Sequence, residues 1–295
     1  MQFLVYILAY PFLWLISILP FRIFYWFSDC VYFLVYHVIG YRKKVVRENL
    51  ALTLPHLSVS ERKEIEKKFY QHMCDMFLEM IKTMTISPEE MERRFTITNM
   101  DLFHEYEKKG KSVILVASHY ASWEWLLTLN KRMIFNGVGV YKKIANPYFD
   151  KLIRKIRSKY DATLVETKKA IPMMAQNQRD GILSLYGLAS DQSPKLDRIF
   201  HSMKFMGIEV PVHTGAEMLA KKYDLSVIFI KVKKIGRGYY EATIVPIADD
   251  PKEYENFKIT ELYLKEVEKQ ILEAPEYYLW THKRWKHRVD TENKK

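Results

Sequence analysis

The strongest constraint on the fold of this chain is a regular alternation of short apolar runs with amphipathic stretches between residues 112 and 273. Runs of about four to eight β-branched or apolar residues are typical of buried strands, and apolar residues three or four apart are typical of helices. The predicted strands lie near 112–118, 136–141, 162–166, 182–189, 225–232 and 240–246. The predicted helices lie near 122–135, 147–159, 168–179, 211–222 and 257–273. Alternating strands and helices predict an α/β fold, with a mostly parallel or mixed central sheet flanked by helices.

A histidine follows the first of these strands. The apolar run Val113–Ala117 leads into Ser118 and His119, and Glu124 stands five residues after the histidine. Functional side chains of α/β proteins collect beyond the carboxyl ends of the strands. Residues five apart in a continuous helix point about 140° away from each other. The two side chains therefore meet only if His119 lies in the turn and Glu124 in the first helical turn, and we predict that Glu124 orients the imidazole.

A histidine beside a carboxylate is suited to general-base chemistry. The unperturbed imidazole pKa of about 6.5 lies near neutral pH, and the carboxylate fixes the tautomer. The chain has no G-x-S-x-G, H-E-x-x-H, C-x-x-C or P-loop motif. We therefore expect no covalent nucleophile, no metal and no cofactor, and a base that deprotonates a substrate hydroxyl for attack on an acyl thioester.

Two plainer interpretations stay open for this stretch. On the spacing alone, a packed histidine followed by an ordinary acid at a helix start is the favoured one. Ser118 and Ser122 are alternative nucleophiles, but neighbouring residues of a strand face opposite ways, which disfavours them.

The H-x4-E box occurs together with four further blocks, in a fixed order from about residue 40 to the C-terminus. These are Val46-Arg47-Glu48-Asn49-Leu50 with Leu54-Pro55; Tyr141-Lys142-Lys143 with Asn146-Pro147, Asp150 and Arg157; Asp191-Gln192 with Phe205-Met206-Gly207 and Thr214-Gly215-Ala216; and the closing run from Pro275 to Lys286. Together the blocks resemble those of the late acyltransferases of lipid A biosynthesis, the lauroyl and myristoyl transferase group of the glycerolipid and lysophospholipid acyltransferase superfamily.

The resemblance implies transfer of a fatty acyl chain to a hydroxyl of a Kdo-bearing lipid A precursor at the inner membrane. The implied donor is acyl carrier protein, with coenzyme A as the alternative, and the implied base and partner are His119 and Glu124. The segment 194–204 departs from the family pattern, because it lacks an aromatic-Val-Pro run and is unusually charged. The acceptor therefore stays open, and another lysolipid, aminolipid or glycolipid is the alternative.

The N-terminus predicts a membrane anchor. Gln2 to Leu19 is uncharged and almost wholly apolar, near the lower limit of about 17–25 residues for a spanning helix. The next apolar stretch, Ile23 to Ile39, is interrupted by Asp29 and His37, which favours an interfacial or protein-packed helix.

Basic residues follow at positions 42–47, and the positive-inside bias places the rest of the chain in the cytoplasm. We expect residues 1–40 to be a transmembrane or interfacial anchor. We expect residues 41–295 to be the catalytic domain, on the cytoplasmic side of the cell inner membrane. A buried N-terminal helix is the alternative.

Four further polar residues are candidates for substrate binding. Arg157 suits a phosphate, because the guanidinium fork matches phosphate geometry, although it also fits a solvated helix charge. Lys142 lies at a strand end, and Asn146 before Pro147 is typical of a helix N-cap. Asp191 follows a predicted strand and is expected either to contact the acceptor sugar or to order the site, and a loop cap is an equal alternative.

The charge balance and the C-terminus leave several partners open. A formal net charge of +11 with 14% aromatic residues suggests an anionic partner: nucleic acid, anionic lipid or an acidic carrier protein. The tail from Trp280 to Arg288 interleaves tryptophans with cations, which suits a membrane interface or single-stranded nucleic acid. With an apolar N-terminus present, we favour the membrane and expect no nucleic acid. A non-enzymatic, membrane-tethered lipid or nucleic-acid binder is the remaining alternative.

Overall fold

A seven-stranded, mostly parallel sheet forms the centre of the computed structural model, which describes residues 1–288. In chain order the strands are β1 Phe95–Ile97, β2 Val113–Ala117, β3 Asn136–Tyr141, β4 Thr163–Glu166, β5 Ser184–Ala189, β6 Ser202–Phe205, β7 Ile208–Pro211, β8 Ser226–Gly236 and β9 Tyr239–Ala248. The main sheet has the order β1-β9-β8-β2-β5-β3-β4, and every neighbouring pair is parallel except β8–β9. Strands β6 and β7 form a separate antiparallel pair. The α/β class and the mostly parallel sheet are thereby confirmed.

Helices connect and flank these strands. They are α1 Gln2–Ile18, α2 Phe21–Tyr32, α3 Lys43–Thr53, α4 Val59–Lys82, α5 Pro88–Arg94, α6 Met100–Lys108, α7 Pro147–Arg157, α8 Thr167–Arg179, α9 Gly215–Tyr223 and α10 Lys258–Glu273. A π-helical stretch, Phe33–Ile39, continues α2, and 3₁₀ segments lie at Trp123–Arg132, Ser158–Tyr160, Leu196–Arg198, Pro251–Glu253 and Pro275–Tyr277. The long helix α4 begins at a capping box in which the Ser58 and Glu61 side chains each bond the other's backbone N–H.

The core lies against strand β2, all five residues of which are buried. This strand has hydrogen-bonded neighbours on both sides and both of its faces are buried, which explains its unbroken apolar sequence. The residues that follow β2 therefore extend from a fully buried strand.

The structure has three strands that were not predicted, β1, β6 and β7, and it differs from two of the predicted elements. Residues Trp123–Arg132 form a 3₁₀ segment where an α-helix was expected near 122–135. Strands β8 and β9 extend past the predicted ends into a long hairpin. The apolar run of β8 ends near Val232, and Lys233 and Lys234 follow it in the outer half of the hairpin. Hydrophobicity therefore predicted only the inner half of this strand.

The N-terminal helices pack on the rest of the chain. The ring of Phe3 in α1 lies 5.0 Å from that of Tyr148 in α7. At the other end of α1, Lys82 Nζ donates to the carbonyl oxygens of Ser17 and Leu19, at 2.7 and 2.5 Å. A lysine at the C-terminal end of a helix satisfies carbonyls that have no partner within that helix.

Helix α2 is held by polar contacts, one of which is buried. Its Ser28 donates to Asp75 of α4 at 2.7 Å. The Arg237 guanidinium, in the β8–β9 turn, binds both Asp29 and Asp75. Asp29, the charge that interrupts the second apolar stretch, is therefore paired with an arginine of the same chain.

Among residues 1–288, no single helix combines the length and the apolar character that a membrane span needs. The helical stretches Phe21–Ile39 and Lys43–Thr53 meet those limits together, but they are bent by 90° at their junction. The predicted transmembrane helix is not confirmed, and the division of the chain at residue 40 stays a prediction.

Candidate active site

Strands β2 and β5 bring a histidine and an aspartate to the same edge of the sheet. The two strands are parallel neighbours, and Ala117 lies opposite Ala189 in their register. His119 and Asp191 each stand two residues beyond this last pair, so the same strand pairing delivers both side chains to one place.

The Asp191 carboxylate binds the His119 imidazole and its backbone. Oδ1 of Asp191 lies 2.7 Å from Nδ1 of His119, and Oδ2 accepts the backbone N–H of His119 at 3.1 Å. The carboxylate is buried, whereas 22% of the imidazole side chain is exposed. A deprotonated carboxylate accepts hydrogen bonds, so the proton of the neutral ring lies on Nδ1 and Nε2 is left with a free lone pair.

The electrostatics of the pair favour a protonated imidazole. Burial lowers the pKa of His119, but the charge of Asp191, its hydrogen bond and the charge of Glu124 outweigh burial and raise that pKa above its ordinary value. Burial likewise raises the pKa of Asp191, yet the bonds to His119 hold it below its usual range. The aspartate is therefore ionised at neutral pH and stabilises the imidazolium that forms when His119 takes a proton.

Glu124 binds Arg157 instead of the imidazole. Its two carboxylate oxygens accept from Nε and Nη2 of Arg157, at 2.9 and 2.6 Å. The prediction that Glu124 orients the imidazole is wrong, because Asp191 makes that contact. Strand β5, which pairs with β2, places the Asp191 carboxylate in register with the histidine. Glu124 still acts on His119 through its charge.

A small cavity lies beside the Glu124–Arg157 pair. Its volume of about 10 Å³ has room for roughly one water molecule. Besides the ion pair, its lining comes from α4, the Trp123–Arg132 segment, α7 and Tyr160: Met80, Thr83, Trp125, Leu127, Thr128 and Ile156. Much of that lining is apolar, so the pair is held in partly desolvated surroundings, in which a charge–charge contact is stronger than on an open surface.

The C-terminal segment holds the loop that carries His119. Leu279 donates its N–H to the His119 carbonyl at 3.1 Å, and Ala121 donates its N–H to the Tyr277 carbonyl at 3.0 Å. Tyr120 and Tyr278 form the β-bridge between these bonds. Ala121 is buried and has a left-handed backbone, with φ of 49°. These bonds give the closing Pro275–Lys286 block a structural role that pattern alone did not reveal.

The remaining candidates lie in the loop before α7. Asn146 is the N-cap of α7, as predicted, with Oδ1 accepting the backbone N–H of Tyr148 at 3.0 Å. Asp150 orders this loop by accepting the Ile144 N–H at 2.9 Å. Lys142 is exposed. Substrate binding by Asn146 and Lys142 stays a prediction.

The interpretation of the C-terminal tail as a membrane or nucleic-acid surface is wrong for its largest side chains. Trp280, Arg284 and Trp285 are all at most 2% exposed. The two indole rings stack on each other, and the ring of Trp285 also stacks on Phe205. The tryptophans alternate with exposed lysines because one side of the segment faces the core. The same alternation of aromatic and basic residues is expected at a membrane interface, so sequence alone did not distinguish the two.

Comparison with known proteins identifies the family. The family model for the bacterial lipid A biosynthesis acyltransferases matches residues 1–287. The chain belongs to this family. It is an acyltransferase, which confirms the resemblance and sets aside the non-enzymatic alternative.

Individual members of the family are distant in sequence. The chain is 25% identical to the lipid A biosynthesis lauroyltransferase of Escherichia coli strain K12 over 281 residues, which is 94% of this chain and 90% of the relative. It is 24% identical to the palmitoleoyltransferase of the same strain over 260 residues, 84% of this chain and 79% of the relative. A lipid A biosynthesis acyltransferase of Haemophilus influenzae is also 24% identical, over 256 residues, with the same two coverages. The family membership therefore covers both the N-terminal helices and the His119 site.

Proposed function

We propose that the chain transfers a fatty acyl group from a thioester to a hydroxyl of a lipid A precursor, with His119 as the general base. The observation that carries the proposal is the His119–Asp191 pair, with Nδ1 held by the carboxylate and Nε2 free at the sheet edge. The named relatives are a lauroyltransferase and a palmitoleoyltransferase of lipid A biosynthesis, which supports the acceptor class.

The reaction needs one proton to move twice. Nε2 of His119 takes the proton of the acceptor hydroxyl while its oxygen forms a bond to the thioester carbonyl carbon. Asp191 stabilises the resulting imidazolium. When the tetrahedral intermediate collapses, the carbon–sulfur bond breaks and the imidazolium returns the proton to the thiolate. The donor is acyl carrier protein or coenzyme A.

Glu124 and Arg157 have separate roles in this proposal. The charge of Glu124 adds to that of Asp191 in stabilising the imidazolium, which makes it the second catalytic carboxylate. Arg157 uses two of its five N–H donors on Glu124, so three remain for a phosphate of donor or acceptor. Lys142, Asn146 and Asp191 complete the proposed substrate-binding set, Asp191 by ordering the site.

Membrane association follows from the N-terminal surface. Helices α1 and α2 and the π-helical stretch expose many large apolar side chains in one continuous part of the chain: Phe3, Leu4, Ile7, Leu8, Phe12, Trp14, Leu15, Ile18, Ile23, Trp26, Phe33, Leu34, Val38 and Ile39. The basic residues at 42–44 follow at once. Apolar and aromatic side chains beside cations suit a bilayer surface with anionic headgroups. We propose that this surface holds the protein on the cytoplasmic side of the inner membrane.

A lipid-binding experiment tests the membrane part. Leu8→Asp removes one exposed apolar contact, and we expect at least a roughly tenfold loss of flotation with vesicles of anionic phospholipid, because burying a leucine contributes about 1.5–3 kcal/mol. Ile134→Asp is the matched control, since Ile134 is at least as exposed as Leu8 but lies outside the N-terminal surface. Equal flotation of both variants and the wild type would refute the proposal.

Mass spectrometry of lipids from a deletion strain tests the acceptor. We expect lipid A from the deletion strain to lack one acyl chain. The wild-type gene should restore that chain, and the His119→Ala gene should not. The charged segment that starts three residues after Asp191 exposes Leu196 and Phe200 and departs from the family pattern, which favours examining other acceptors as well. Unchanged lipid A with a change in another lipid class would move the acceptor to that class.

A further inference from the structure

The C-terminal segment from Leu279 to Arg284 follows the β-bridge at Tyr278 as a series of turns and bends. Carbonyl groups in such a segment lack the regular partners of a helix or strand, and leaving them unpaired in the interior destabilises a fold. Three successive carbonyls of this segment accept hydrogen bonds from helix α3. They belong to Trp280, Thr281 and His282.

Asn49 of α3 provides two of these bonds. Its Nδ2 donates to the carbonyl oxygens of Trp280 and His282, at 2.8 and 2.9 Å, so both N–H groups of the amide are used. The residue is buried, with 6% of its surface exposed. Arg42, the N-cap of the same helix, donates to the Thr281 carbonyl at 3.0 Å. Helix α3 therefore fixes the course of the C-terminal segment.

One of the two carbonyls held by Asn49 lies next to the bond that holds the His119 loop. Leu279 precedes Trp280 in the chain and donates its backbone N–H to the His119 carbonyl at 3.1 Å. Two adjacent residues of the C-terminal segment therefore connect the Asn49 amide to the backbone of the proposed base.

The other carbonyl belongs to the residue that holds the Asp191 loop. Nε2 of His282 accepts the backbone N–H of Ser193 at 3.3 Å, and the Ser193 hydroxyl donates to the Arg284 carbonyl at 2.6 Å. Ser193 stands two residues after Asp191. The same asparagine is therefore connected to both sides of the proposed catalytic pair.

The pairing of β2 with β5 brings the two side chains of that pair near each other but ends before them. The last paired residues are Ala117 and Ala189, and His119 and Asp191 lie beyond them in separate loops. Their contact at 2.7 Å therefore depends on where both loops lie. A displacement of about 1 Å in a catalytic group can lower a rate by about a hundredfold.

We infer that Asn49 is a positioning residue: through the carbonyls of Trp280 and His282, its amide fixes the C-terminal segment that keeps the His119 and Asp191 loops at hydrogen-bonding distance. The inference rests on the proposed function only where a rate is measured. Asn49 acts through backbone and needs no contact with substrate. This gives a role to the Val46–Leu50 block, which the proposed reaction does not otherwise use.

Asn49→Ala removes both donors, and Asn99→Ala is the matched control. Asn99 also makes two hydrogen bonds with backbone, to the carbonyl and from the N–H of Ile244, at 2.9 and 2.8 Å. It follows β1, which runs opposite to β2, so it lies at the other edge of the sheet from His119.

Both variants should unfold at a lower temperature than the wild type, because each leaves backbone groups without partners. Only Asn49→Ala should lower kcat for acyl transfer, by roughly ten- to a hundredfold, with KM within about twofold of the wild-type value. A purely structural role predicts the same kinetics for both variants.

NMR of ring-labelled histidine follows the catalytic pair without any substrate. The His119 proton on Nδ1 is held in a short bond to a carboxylate in the wild type, so its resonance lies far downfield. We expect this resonance to move upfield or broaden in Asn49→Ala and to stay in place in Asn99→Ala. If no acyl transfer to lipid A is found, the spectra still test the inference, and only the proposed function is overturned.

A second pair of variants tests the Asp191 side of the connection. His282→Ala removes the acceptor for the Ser193 N–H and should reproduce the spectral change of Asn49→Ala. His282→Gln offers a side-chain oxygen as acceptor, and it should restore most of the wild-type His119 resonance and rate.

Three results would overturn the inference. The first is a wild-type Nδ1 resonance of His119 in Asn49→Ala, whatever the rate of that variant. The second is an equal change in Asn49→Ala and Asn99→Ala, which would indicate a general loosening of the fold. If Asn49→Ala does not fold, the His282 variants decide in the same way. If His282→Ala does not fold either, the segment is required for the fold itself, and this third result also overturns the inference.

Discussion

Replacing the Asp191 carboxylate by an amide tests which acid serves the histidine. In Asp191→Asn the side chain keeps its shape and its place beside the His119 backbone, but the charge that faces the imidazole is lost. The amide NH₂ competes for Nδ1 and favours the tautomer with its proton on Nε2, where a base needs a lone pair.

The size of the effect follows from the geometry. A buried, charge-assisted contact at 2.7 Å is lost, and leaving an imidazolium without its partner costs about 3–5 kcal/mol in buried pairs. This corresponds to a fall in kcat of about 10² to 10⁴. Because a stabilising negative charge is gone, the pKa of His119 falls, so the acid limb of the rate profile moves to lower pH even though the maximum rate drops.

The matched variant is Glu124→Gln. Glu124 acts on the imidazole only through its charge, so we expect kcat to fall by about ten- to a hundredfold. Removal of the Glu124 charge also releases Arg157, so KM should rise more than it does in Asp191→Asn. The assay is transfer of a radiolabelled acyl group from acyl carrier protein to a lipid A precursor, with thermal unfolding as a check on the fold. If Asp191→Asn keeps at least a tenth of the wild-type rate while Glu124→Gln abolishes activity, Glu124 and not Asp191 serves the histidine.

Three further predictions concern other parts of the molecule. Arg157→Lys retains a charge but not the two-point contact with Glu124, and steady-state kinetics should show KM raised roughly tenfold with a smaller change in kcat; an unchanged KM would exclude Arg157 from substrate binding. Burial raises the pKa of Glu79 to about 7, so between about pH 4.5 and 7 the folded protein holds a proton that the unfolded chain has released. The stability that this proton contributes is lost as pH rises through that window. Melting temperatures measured against pH should therefore decline less steeply for Glu79→Gln than for the wild type, and parallel curves would contradict this. Ala121→Gly should unfold at the wild-type temperature or higher, because glycine accepts a positive φ. Ala121→Val should lose about 2 kcal/mol or more of the free energy of unfolding measured in urea. Equal stability of the two variants would show that the left-handed backbone is not maintained.

Sequence patterns predicted the parts of the fold that depend on local signals. The N-cap at Asn146 and the buried strand Val113–Ala117 both follow from side chains close in sequence. Strand β1 and the small β6–β7 pair have too few residues to show a periodicity, and the outer half of β8 carries lysines. Those elements depend on pairing with distant strands, which a local pattern does not contain.

The candidate site shows the same division. His119, Glu124, Arg157 and Asp191 were all identified from motif residues, but their pairing was not. Spacing along the chain suggested that Glu124 holds His119, whereas the register of β2 and β5 gives that place to Asp191. The buried state of Arg284 was equally out of reach, because its alternation with exposed lysines fits an interfacial segment as well as a core one.

The most direct test of the account is the mass of the acceptor after incubation with purified protein and acyl carrier protein thioester. With wild type, the lipid A precursor should gain the mass of one acyl ester, and with His119→Ala it should gain nothing although that variant folds and still floats with vesicles. Ester formation by His119→Ala at the wild-type rate would contradict a mechanism in which this imidazole takes the hydroxyl proton.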